Sequence, residues 1–185
     1  MRKIILSLLI TLLMFSLSGC IGAGYDLAPS SKKEVSQDIT IKYDKFKKQT
    51  WIRTHFYLIG NAFTNNFPVM ASYRALAKDN KLEFIQLYLK INGREWAFFN
   101  QAVGEDGYHF EFLKIDDDIN VISGGGQAMA IVQEHVALSV PIKQLKKMAS
   151  KDYEIKIYGK RREGSFIMPK IISSAFYQKL QNINK

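Results

Sequence analysis

The chain has 185 residues, a net charge of +9, 47% hydrophobic and 12% aromatic side chains, and a single cysteine. One cysteine excludes an internal disulfide and a zinc site built on paired thiols. A chain of this length can bury about 70% of its unfolded surface in one core, so stability has to come from packing.

The first twenty residues read MRKIILSLLITLLMFSLSGC. Arg2 and Lys3 give a positive start, residues 4–15 are apolar apart from Ser7 and Thr11, and small residues precede Cys20. This is the layout of a secretory leader. It is short for a permanent span, which takes about 20 apolar residues. Leu17-Ser18-Gly19-Cys20 resembles the lipobox of bacterial lipoproteins at all four positions. The resemblance implies that a diacylglyceryl group alkylates the Cys20 thiol, that a signal peptidase recognises Leu17, Ser18 and Gly19 and cuts before Cys20, and that the new amine is acylated, commonly with palmitate. Two or three acyl chains anchor a protein stably where one does so only marginally. In the lipoprotein family of two-membrane bacteria an Asp after the cysteine commonly marks retention in the inner membrane. Ile21 stands there, so the expectation for a two-membrane organism is the outer membrane, with the body in the cell envelope.

Loss of Arg2 and Lys3 with the leader leaves 24 basic against 17 acidic side chains, a net +7. Such a body favours anionic partners, a lipid headgroup or glycan, or another envelope protein. Export argues against nucleic acid. The basic residues concentrate in KYDKFKK (42–48), KQLKK (143–147) and KRR (160–162).

Residues 21–38 mix Gly, Pro, Ser and charge without periodicity, and read as a flexible tether with a mean span of about 23 Å. Residues 39–185 read as one mainly β domain: a single antiparallel β-sandwich or curled barrel, with a short helix and a C-terminal helix. ITIKY and WIRTHFYLI alternate at strand period, and VMASYRALA (69–77) reads as a strand. KLEFIQLYLKI and REWAFFNQAV flank Asn92-Gly93, a pair suited to a tight hairpin turn. With GEDG (104–107) and YHFEFLKI (108–115), they predict a three-stranded meander broken by DDDIN and SGGG. QAMAIVQEHVALSV (127–140) places Val132, Val136, Leu138 and Val140 on one side together with Glu134. Pro141 opens a short helix, residues 153–159 and 165–168 form a last hairpin, and Ile172, Phe176, Leu180 and Ile183 mark the apolar stripe of the terminal helix.

Chemistry-bearing motifs are few. His55, His109 and His135 lie far apart, with no HxH, HxxxH or HExxH spacing. Asp116, Asp118 and Asn120 match the opening of a calcium loop, but Val121 stands where the turn needs Gly and Gln127 where a bidentate Glu is expected; a charged turn fits better. Gly124 to Gly126 lack the GK[ST] of a phosphate loop, and no serine sits in a GxSxG elbow. No cofactor is indicated. The predicted meander is apolar on both faces, with Phe84, Tyr88, Trp96, Phe98, Phe110 and Phe112 on one side and Ile85, Leu87, Leu89 and Phe99 on the other. Strands apolar on both faces are covered twice or leave a patch for a partner. Tyr88, Trp96, Phe98 and Phe110 are therefore the candidate interaction surface. The expected function is a membrane-anchored, non-enzymatic binding or scaffolding module, with an envelope hydrolase or a lipid-carrying β domain as alternatives.

Overall fold

A computed structural model describes residues 26, 27, 29–59, 69–79, 81–124 and 127–183. The leader and lipobox, including Leu17, Ser18, Gly19 and Cys20, lie outside the described residues. The elements in chain order are β1 (Asp26–Leu27), α1 (Lys32–Asp38), β2 (Thr40–Asp44), β3 (Gln49–Arg53), β4 (Tyr57–Ile59), β5 (Val69–Lys78), β6 (Lys81–Gly93), β7 (Phe99–Gly104), β8 (His109–Gly124), β9 (Gln127–Ser139), α2 (Ile142–Met148), β10 (Tyr153–Gly159), β11 (Glu163–Met168) and α3 (Lys170–Ile183).

The protein is mainly β. Its strands form one sheet in the order β1-β4-β5-β6-β9-β8-β7-β10-β11, with β3 also on β5 and β2 on β3. All ladders are antiparallel except β1 on β4. The sheet curls until β4 and β11 touch, yet no ladder joins them, so it is not closed into a barrel. Inside the curl lie the three helices. Alternate residues of β5 (Val69, Ala71, Tyr73, Ala75), β6 (Ile85, Leu87, Leu89, Ile91) and β9 (Val136, Leu138) face inward. They meet Ile172, Ala175, Phe176 and Leu180 of α3, Leu145 and Met148 of α2, and Val35 of α1. The Tyr73 ring stacks on Phe176 at 5.1 Å. Every side chain of the described core falls between Val35 and Leu180.

Three expectations change. The tether is shorter than 21–38, because α1 is capped by Ser31 and buries Val35 completely. DDDIN is no break: β8 runs through it to Gly124, with Asp116 and Asp118 paired to His135 and Gln133 of β9. Residues 81–115 are not a meander. β6 pairs with β5 and β9, while β7 pairs with β8 and β10. A tight hairpin at Asn92-Gly93 needs positive φ at both residues. Among the described glycines only Gly107 has it, and β9 takes the place beside β6. The hairpin between β7 and β8, the strands 127–139 and 153–159, and both predicted helices form as expected.

Candidate functional site

Because β6 and β7 part company, residues 94–98 must cross between two regions of the sheet. They are pinned from below by Glu134 of β9, which is 2% exposed. Its Oε1 accepts the N–H groups of Ala97 (2.6 Å) and Phe98 (3.2 Å), and its Oε2 accepts that of Phe99 (3.0 Å). A carboxylate out of water is tolerable only with such donors. The turn after β10 holds the other edge: the Arg161 N–H donates to the Ala97 carbonyl and the Lys160 N–H to that of Phe98. These bonds hold Phe98 at φ 55, a left-handed conformation that costs a bulky residue about 1–2 kcal/mol. Two glycines let the pieces close. A Cβ on Gly159 would lie 2.5 Å from the Ala97 oxygen, and one on Gly93 2.9 Å from that of Glu95.

The crossing and the turn bound a cavity of about 550 Å³ whose walls include Arg94, Glu95, Trp96, Arg161 and Arg162. Its lining thus holds three arginines and one glutamate. Burial pulls the Arg162 guanidinium below its ordinary pKa, against the pull of the nearby Glu134 carboxylate. The Arg161 guanidinium lies 5.1 Å from the centre of the Phe98 ring, which is 38% exposed. Guanidinium forks match phosphate and carboxylate oxygens in pairs, and an indole offers a flat wall to a ring or chain carried by that anion. Among the described residues no hydroxyl, thiol or imidazole lines the cavity, and its arginines suit it to hold an anion.

The outer face of the sheet carries a second polar cluster. Gln133 Nε2 donates to Asn92 Oδ1 (2.7 Å), which aims Gln133 Oε1 at His135 Nε2 (2.6 Å). Nε2–H therefore donates, and Nδ1 accepts from the Tyr88 hydroxyl at 2.8 Å. Asp118 Oδ2 lies 3.3 Å from Nε2. The Arg74 guanidinium covers the Tyr88 ring at 4.5 Å and bonds Gln86 through Nε. With both nitrogens engaged by protein groups, His135 is a buried structural histidine.

The four residues of the expected interaction surface divide accordingly. Trp96 lines the cavity, and Phe98 lies beneath the guanidinium of Arg161, another lining residue. Tyr88 sits on the outer face of β6, under His135. Phe110 is 5% exposed and belongs to the core, because it pairs with Ala102 on the helix side of the sheet. Phe112 also packs against that core. Asp116, Asp118 and Asn120 lie on β8, and among the described residues no three His, Cys, Asp or Glu side chains converge to hold a metal ion. His109 faces Gln101 at 3.3 Å. The aromatic reading missed Arg94 and the partnership of Glu134 with residues 97–99. The signals available were the KRR run and one acid among the valines of β9. Comparison with known protein families, with characterised proteins and with solved structures finds no match to this chain.

Proposed function

We propose that this chain is a lipid-anchored envelope protein whose folded body binds, without chemical transformation, the phosphate or carboxylate group of an envelope component in the cavity beside Trp96. The anchor rests on Leu17-Ser18-Gly19-Cys20. No described helix is long and apolar enough to cross a membrane, so attachment through acyl chains at Cys20 would hold the body at the bilayer. The observation that carries the binding role is the set of Arg94, Arg161 and Arg162 around one indole on a crossing hydrogen-bonded along both edges. Carriage of a lipid inside the fold is the weaker reading, since α3 fills the curl with Ile172, Phe176 and Leu180.

The chain has two tryptophans, so Trp51→Phe leaves Trp96 as the sole indole reporter. Titration with inorganic pyrophosphate is expected to shift its emission saturably. Arg94→Ala and Arg161→Ala should each weaken binding about tenfold, the loss of one charge-assisted contact. Emission that stays flat, or binding that ignores both substitutions, overturns the reading.

A further inference from the structure

The β2–β3 hairpin stands apart from this cavity. Asp44 Oδ1 accepts the N–H groups of Phe46 (2.9 Å) and Lys47 (3.2 Å), which folds residues 45–48 into a fixed tip. The tip holds its aromatics in solvent: Phe46 is 88% exposed and Tyr43 61%. Around them, residues 42–48 carry four lysines against Asp44 alone. Behind the tip lies a groove of about 680 Å³ whose walls include Lys42, Lys45, Trp51 and Arg53. The Arg53 guanidinium covers the Trp51 ring at 4.4 Å.

We propose that this hairpin is a second membrane contact, with Phe46 and Tyr43 entering the interfacial region and the lysines and Arg53 taking the phosphates of anionic phospholipids. The choice of leaflet rests on the anchoring at Cys20. Five residues separate Cys20 from Asp26, and the six chain steps limit the distance between them to about 20 Å. β1 runs parallel to β4, β3 and β4 lie along the same strand β5, and β3 begins at the hairpin tip. Acyl chains at Cys20 and the hairpin can then address the same surface. Exposed aromatic rings favour the headgroup boundary, where long lysine stems keep their ammonium groups among phosphates. Each lysine near an anionic surface raises partitioning about fivefold, so the charge favours bilayer over neutral protein or glycan as the occupant.

Residues 21–185 contain the whole described core and separate hairpin binding from acylation. This chain is sedimented with phosphatidylcholine vesicles with and without phosphatidylglycerol. The expected result is binding that requires phosphatidylglycerol, falls at least tenfold in Lys45→Glu/Lys47→Glu, and falls several-fold in Phe46→Ala. Lys143→Glu/Lys146→Glu makes the same charge change on exposed positions of α2 and should cost much less. Equal losses in the two double variants, or equal binding to neutral vesicles, overturn the proposal. Palmitate labelling of cells expressing the full chain, expected to vanish in Cys20→Ala, tests the anchor alone. Labelling that persists in Cys20→Ala removes the anchor and leaves the vesicle result standing, so the two failures are told apart.

Discussion

The ring nitrogens of His135 form the middle of a directed chain from Tyr88 through the imidazole and Gln133 to Asn92. That chain suits a neutral ring, in which Nε2 donates and Nδ1 accepts. Burial, with Lys90 assisting, lowers the His135 pKa below its ordinary 6.5, against the raising pull of Asp118, Asp116 and Asp117. In the window below about 6.5 the unfolded chain therefore binds more protons than the folded one. Stability is full above that window and falls as the pH drops through it. Denaturation midpoints should be lower at pH 5 than at pH 7, and His135→Gln should flatten that part of the slope. An unchanged slope in the variant would assign the loss to groups other than His135. Burial raises the Asp106 carboxyl, but hydrogen bonds from Tyr153 and Lys147 and the N–H of Tyr108 outweigh it and hold its pKa at about 2. Its contribution persists at pH 5 and is lost only as the pH falls from about 4 toward 2. The two effects occupy different windows.

At the scale of elements, Glu134 decides where residues 94–98 sit. Glu134→Gln replaces one acceptor oxygen by an NH₂ group that meets an N–H head on. A loss of about 2–3 kcal/mol is expected by chemical denaturation, together with weakened pyrophosphate binding as Trp96 and Arg94 lose their placement. Unaltered binding in a folded Glu134→Gln would mean that the crossing keeps its shape without the carboxylate. Local patterns in the sequence were readable where one face is buried: Val132, Val136 and Leu138 alternate, and Ile172, Phe176 and Leu180 recur at helical spacing. They failed where burial leaves no mark. Asp116 and Asp118 belong to a strand whose outer face meets water and His135, so no apolar alternation announces it. Asn92-Gly93 carries a turn composition at a site where the glycine is needed for close approach to Glu95 and Arg162.

Across the whole molecule, composition and spacing indicated one mainly β body with a terminal helix, but not the partners of its strands. Pairing of β10 with β7 brings Arg161 beside residues more than sixty positions earlier, and no local signal encodes that. The insertion of β9 between β6 and β8 has a kinetic side. β6 completes its hydrogen bonding only after some forty further residues have been made, and the curl acquires its filling only when α3, the last element, arrives. Non-local pairing of this kind slows folding, since chain closure is paid before contacts reward it. The nascent polypeptide thus cannot close its core before α3 has been made, and until then its inner face stays open to whatever meets the chain.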